Sequence, residues 1–166
     1  MSTYVAVNTY TYSVTYLSEK LLYSLKEVIR ESGLDPDKLA SDWESTQDAV
    51  STWLGTRDLL AIHLEIYSPL SNSLVLRWDF DVVYDVDGDG TMWVDAADLH
   101  YHIIKTGQAP SRCKYDVILS TRHGRPDVGG WGPCSMRSTD GMSRHSIGTM
   151  INASNGLGSR AAYWRQ

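Results

Sequence analysis

Apolar residues recur at helical spacing over the first third of the chain. A first stripe consists of Val14, Leu17, Leu21, Leu25 and Val28. These positions are three or four apart and share one face, which predicts a helix over residues 13–32. Gly33 supplies the left-handed residue that often ends a helix. A second helix is predicted from Asp35 and Pro36, which suit a helix start, to Gly55.

Alternation of apolar and polar residues then predicts strands. Residues 60–67 place Leu60 on a buried face and His63 on a polar face, and residues 76–84 alternate in the same way after a turn at 68–73. A third helix is predicted over 96–106 with Asp95 as its cap, and a third strand over 113–121. Three helices packed on a small, mainly antiparallel sheet make an α+β domain.

The remaining residues, 124–166, have a different composition. They hold eight of the 13 glycines, and no helical or strand period lasts more than a few residues. Large apolar side chains such as Trp131, Met142, Ile147 and Trp164 distinguish the segment from a disordered tail. Long irregular segments inside a domain are usually functional. The pattern fits either a repackable conformational switch or an irregular C-terminal subdomain.

Composition narrows the class of protein. The 166 residues fit one domain, and the formal net charge of −5 argues against a nucleic-acid binder. No apolar run is long enough to span a membrane and no secretory signal is visible, so we expect a cytoplasmic location. The two cysteines, Cys113 and Cys134, make no zinc motif, and we expect no bound metal.

An acidic turn raises the possibility of calcium binding. Asp85, Asp87 and Asp89, followed by Gly90, match the first half of a calcium loop. Position twelve, normally a glutamate, is Ala96, and a strand rather than a helix enters the loop. A plain turn after a strand uses the same residue types. A calcium-binding domain or small enzyme centred on these aspartates is therefore the alternative function.

Catalytic motifs are missing from the sequence. The five histidines show no ligand spacing, and there is no GxSxG, phosphate loop or GxGxxG motif. Arg122, His123 and Arg125 could bind an anion or simply aid solubility. We therefore predict a protein that is not an enzyme and needs no cofactor.

Several short phrases, in order, carry a family resemblance. They are Tyr12-Ser13-Val14-Thr15-Tyr16, Ser32-Gly33-Leu34-Asp35-Pro36, Arg77-Trp78-Asp79, Gly124-Arg125-Pro126-Asp127-Val128, Arg137-Ser138-Thr139-Asp140-Gly141-Met142 and Ala162-Tyr163-Trp164-Arg165. Together they resemble the bacterial HORMA proteins of anti-phage signalling (CBASS) operons that contain a cGAS-like nucleotidyltransferase. The resemblance covers residues 1–166 as a single HORMA domain.

The resemblance implies a switch built from three parts. These are a flexible N-terminus (1–11), a core (12–121) and a safety belt (122–166) that closes over a closure-motif-like peptide. The peptide would add to the strand at 113–121. Its implied contacts are Cys113, Tyr115, Val117, Ile118, Leu119, Thr121, Trp131, Met142 and Ile147.

The resemblance also implies two protein partners. The closed, peptide-bound form would bind and activate the nucleotidyltransferase. An AAA+ remodeller would grip the N-terminus, at Tyr4, Val5 and Val7, and reopen the domain. Neither nucleic acid nor membrane is an implied partner.

Overall fold

The computed structural model of the protein describes residues 9–85, 91–110 and 112–166. In these ranges the helices are α1 (Thr9–Glu31), α2 (Asp37–Ser41), α3 (Trp43–Gly55) and α4 (Ala96–Thr106). The strands are β1 (Leu59–Tyr67), β2 (Leu74–Tyr84), β3 (Trp93–Val94), β4 (Lys114–Thr121), β5 (Ser143–Asn152) and β6 (Leu157–Arg165). A membrane span needs a longer apolar stretch than any helix in these ranges provides.

The helices follow the sequence prediction with two differences. The described part of α1 includes residues 9–11, which precede the predicted helix. The predicted second helix is two helices, because Asp42 between α2 and α3 has non-helical dihedral angles (φ −99, ψ 9). Aspartate competes for backbone hydrogen bonds and is a poor helix-interior residue. The apolar stripe of α1 is buried as predicted.

One antiparallel sheet holds all six described strands in the order β3-β5-β6-β2-β1-β4. Trp78 and Phe80 of β2 and Tyr163 of β6 are at most 1% exposed and belong to one core cluster with Leu17 and Leu21 of α1. The other face carries Asp79 and its polar neighbours. The α+β architecture of the sequence prediction is confirmed.

The prediction that β1 buries only one face is wrong. His63 and Glu65 are 8% and 0% exposed, so both are buried, like Leu64 between them. Strand β1 lies between β2 and β4, and its polar side chains find hydrogen-bond partners on the outer face. Leu60 is 41% exposed. The register with β4 shifts between Leu59 and Ala61, so Leu60 bulges out and Leu59 takes the buried place.

The expectation that residues 124–166 contain no lasting strand is also wrong. Strands β5 and β6 pair with each other, and β6 pairs with β2 along nine residues. The turn between them contains Ser154, Asn155 and Gly156, all with positive φ. A Cβ on Gly156 would lie 3.1 Å from the backbone of Asp85, and the positive φ of +79° also favours glycine there. The last part of the chain is therefore a structural component of the sheet.

Candidate functional site

The outer edge of β4 is not paired with any described strand. The Tyr115 carbonyl points away from β1, because it accepts a hydrogen bond from Lys38 Nζ at 2.8 Å. Arg122 N–H points the other way and donates to the Asp58 carbonyl at 2.8 Å. Backbone groups alternate in direction along a strand. It follows that the N–H and C=O groups of Val117 and Leu119 face outward.

Residues 122–142, here called the strap, leave β4 and run along α3. Trp53, in the last turn of α3, donates from Nε1 to the Pro126 carbonyl at 2.7 Å. Trp131 donates from Nε1 to the carbonyl of Ser45, in the first turn of α3, at 3.3 Å. The two indole rings meet edge to face at 6.3 Å. The strap therefore runs antiparallel to α3.

A channel separates the strap from the free edge of β4. It consists of two adjoining cavities of about 620 and 780 Å³, each within the range of ligand pockets. Both are lined by Val117 and Ile118 of β4 and by Trp131 and Met136 of the strap. The first extends towards Lys38 and Tyr115 and the second towards Thr121 and His123. One wall of the channel is thus an open strand edge.

Arg137 fastens the strap to the outer face of the sheet. Its Nη1 donates to Glu65 Oε1 at 2.8 Å and to Asp116 Oδ2 at 3.0 Å. Its backbone N–H donates to Glu65 Oε2 at 2.8 Å. Asn72 Oδ1 accepts from Nη2 at 2.9 Å, and the guanidinium lies 3.5 Å from the ring centroid of Tyr67. We call these four partners and Arg137 the latch.

The charges of the latch are matched. Burial alone would raise the pKa of Asp116, but hydrogen bonds from Lys38 and Arg137 outweigh it and hold the pKa below its usual range. Burial likewise opposes the charge on Arg137, yet hydrogen bonds to Asp116 and Glu65 raise its pKa. The Glu65 side chain is 0% exposed and the Arg137 side chain 18% exposed, so water screens this pair little.

A second polar cluster crosses the outer face beside the latch. His63 Nδ1 lies 2.6 Å from Asp79 Oδ1, and His63 Nε2 lies 2.7 Å from Ser120 Oγ. Arg77 and Trp164 also donate to Asp79. Burial raises the pKa of Asp79, but its hydrogen bonds from His63, Arg77 and Trp164 prevail and lower it. The cluster joins β6, β2, β1 and β4, and His63 is a buried, hydrogen-bonded residue within it.

The structure brings most of the predicted peptide contacts to the channel. Its lining includes Tyr115, Val117, Ile118, Leu119, Thr121 and Trp131. Cys113 precedes β4, and Met142 lies at the end of the strap, just before β5. Ile147 lies in β5, which β6, β2 and β1 separate from β4. The sequence analysis did not identify Lys38 and Met136 as site residues, nor the role of Arg137 in the latch. Arg137 is the first residue of a segment, 137–142, that carried the family resemblance.

Some predicted residues lie outside the described part of the chain. These include Tyr4, Val5 and Val7 of the remodeller prediction and Asp87 and Asp89 of the calcium prediction. Asp85 is described, and its carboxylate lies 3.9 Å from Arg57 Nη1. Within residues 9–85, 91–110 and 112–166, no three or more His, Cys, Asp or Glu side chains are placed to hold a metal ion.

Comparison with known families identifies the domain. The model of the family described as bacterial HORMA domain 2 matches residues 1–166. The chain belongs to this family. No curated protein matches the sequence significantly.

Solved structures show the same HORMA fold at low sequence identity. A chain of the mitotic checkpoint complex is 12% identical with a TM-score of 0.74, over 93% of this chain and 98% of that one. HTP-2 bound to HTP-3 motif-6 is 10% identical with a TM-score of 0.69, over 98% of both chains. HTP-1 of C. elegans bound to a HIM-3 closure motif is 10% identical with a TM-score of 0.67, over 93% of this chain and 90% of that one. At such identities the likeness shows the fold.

Proposed function

We propose that this HORMA domain is a peptide-sensing conformational switch. The observation that carries the proposal is the outward-facing backbone of Val117 and Leu119, which forms one wall of the channel. An extended peptide would pair with these groups and add a strand to the sheet, and pockets for its side chains would give selectivity. The folds of HTP-1 and HTP-2, solved with a closure motif and a motif of HTP-3, support a closure-motif-like peptide as the class of ligand.

The position of the strap supports a switch rather than an open groove. The strap begins at the end of β4, follows α3 and is fastened again at the latch, so it surrounds any strand added to β4. A peptide enters this channel only when the strap moves. The described structure is then the closed conformation of the domain. In the open conformation the contacts of the latch are broken and the strap has moved away from β4. A ligand that binds only the closed arrangement shifts the population towards it.

The partners of the switch extend the proposal. The closed, peptide-bound domain binds and activates a cGAS-like nucleotidyltransferase in anti-phage signalling, and an AAA+ remodeller reopens it from the N-terminus. The resemblance of the whole chain to HORMA proteins of such operons supports both roles. The domain itself then acts as a sensor without catalysis.

Reconstitution tests the proposal. The domain, a display-selected peptide and a bacterial cGAS-like nucleotidyltransferase are combined, and nucleotide product is measured. Product should require both domain and peptide. Val117→Pro removes an outward N–H that serves no described strand, so it should abolish activation, whereas Val117→Ala keeps the donor and should retain it. Full activation by a well-folded Val117→Pro protein would contradict strand addition at β4.

The remodeller role has its own test. Deleting residues 1–8 removes no described residue of α1, which spans Thr9–Glu31. The shortened protein should capture peptide normally but resist reopening by an AAA+ remodeller. Reopening at the normal rate would contradict the assignment of the N-terminus.

A further inference from the structure

The two ends of the channel differ in their backbone groups. At the Tyr115 end, Lys38 Nζ already occupies the outward carbonyl of Tyr115 at 2.8 Å and also binds Asp116 Oδ1 at 2.9 Å. The Lys38 side chain thus occupies the position beside Tyr115 that the backbone of an added strand would take. Pairing along β4 is therefore limited to residues 117–121, a stretch of about 17 Å at about 3.3 Å per residue.

The two ends also differ in charge. At the Tyr115 end the lining contains two positive side chains, Lys38 and Arg137, and two negative ones, Asp42 and Asp116. Both cations hydrogen-bond to Asp116. The charges at this end therefore balance within the protein, and a charged peptide side chain gains little from it.

At the Thr121 end the lining is basic. It contains Arg122, His123 and Arg125, with Asp127 as the acidic residue in that lining. Asp127 is 3.4 Å from Arg125, whose guanidinium also lies over the Trp53 ring at 4.5 Å. Arg122 and His123 are exposed, and Arg122 Nε donates to the Arg57 carbonyl at 3.0 Å, which holds the side chain at the channel end. This end of the channel is positively charged, whereas the chain as a whole has a net charge of −5.

We propose that the captured ligand is an acidic peptide. About five of its residues pair with residues 117–121, its central side chains are apolar and contact Trp131 and Met136, and a carboxylate lies beside Arg122 and His123. Lys38 fixes the register by blocking pairing at Tyr115. This inference rests on the proposed function and adds the chemistry of the ligand to it.

Display selection tests the proposal directly. Random heptapeptides on phage are selected at pH 7 against three proteins of checked melting temperature. They are the wild type, the double variant Arg122→Gln/His123→Gln and the control variant Lys114→Gln. The control removes a positive charge at the other end of β4, outside the channel lining. Wild-type and Lys114→Gln selections should enrich Asp or Glu towards one end of the peptide. The double variant should lose that enrichment.

Binding of one selected peptide supplies the second measurement. The fluorescein-labelled peptide and its Glu→Gln or Asp→Asn form are titrated by fluorescence anisotropy into wild-type protein at low and high salt. The acidic form should bind roughly two- to fivefold more tightly at low salt, and the difference should shrink at high salt. Binders without acidic enrichment, or equal affinity of the two forms, would overturn the acidic-peptide inference while leaving strand addition standing. Failure to select any peptide would overturn the proposed function, and this inference with it.

Discussion

Removal of the Arg137 side chain is the most informative perturbation of the strap. Arg137→Ala deletes the guanidinium that joins Glu65, Asp116 and Asn72 but leaves the backbone of the strap unchanged. Glu65 is then left with a carboxylate that is 0% exposed and lacks its countercharge. The protein relieves this cost by lifting the strap, which lets water reach Glu65. We therefore expect the open arrangement to gain population without global unfolding.

The size of the effect of Arg137→Ala follows from how deeply the carboxylates that Arg137 contacts are buried. Loss of one member of a buried ion pair costs about 3–5 kcal/mol. The Arg137–Glu65 pair is in this class, while Asp116, 35% exposed, adds less because solvent screens it. A loss of about 3 kcal/mol in the free energy of strap opening corresponds to a more than hundredfold larger open population. Arg137→Lys should fall in between, because an ammonium lacks the guanidinium fork.

Hydrogen–deuterium exchange measured by mass spectrometry reads strap opening directly. Within residues 128–137 the backbone N–H groups of Trp131 and Arg137 donate hydrogen bonds. These two amides should exchange at least about a hundredfold faster in Arg137→Ala than in wild type. Fragments from α1 and β2 should exchange as in wild type. Arg144→Ala is the matched control, because Arg144 lies 3.9 Å from Asp81 with both side chains nearly half exposed. That change should cost at most about 1 kcal/mol.

Two results would refute the reasoning. Equal strap exchange in Arg137→Ala and wild type would show that the latch does not hold the strap. Faster exchange throughout the protein would show that the ion pair supports the whole fold rather than the strap.

Three further predictions concern the strap and the acidic turn. Hydrogen bonds lower the pKa of Asp116, so its stabilisation is complete above about pH 4 and is lost as pH falls further. The ratio of strap exchange rates between Arg137→Ala and wild type should therefore shrink from pH 7 to pH 3, and an unchanged ratio would contradict this. Trp131→Ala removes the edge contact with Trp53 and the bond to Ser45, and should speed strap exchange about tenfold; unchanged exchange would count against a docked indole. The melting temperature should be the same in calcium and in chelator, whereas a rise of several degrees with calcium would favour an ion site at Asp85.

Periodicity predicted the elements that present a single face to the core. The stripe of α1 and the alternation of β4 and β2 are of this kind, and each was recognised. Strand β1 was misread because His63 and Glu65 are polar yet buried, with partners on neighbouring strands and on the strap. Strands β5 and β6 were missed because glycines at 148 and 158 and two register shifts interrupt the alternation.

The candidate site was predictable only in part. The resemblance and the order of elements placed the peptide at the strand ending in Thr121, and the structure places that strand at the sheet edge. Arg137 and Glu65 are 72 residues apart, so no local spacing could pair them. Ile147 was assigned to the peptide site because the belt was taken as one unit, whereas only the strap lies along β4.

Amide exchange resolved by NMR tests strand addition most directly. In the free domain the amides of Val117 and Leu119 should exchange fast, while those of Ile118 and Ser120, which face β1, should be protected. A captured peptide should protect Val117 and Leu119 and leave Ile118 and Ser120 as they were. Peptide binding without new protection at Val117 and Leu119 would contradict the claim that the ligand becomes a strand of this sheet.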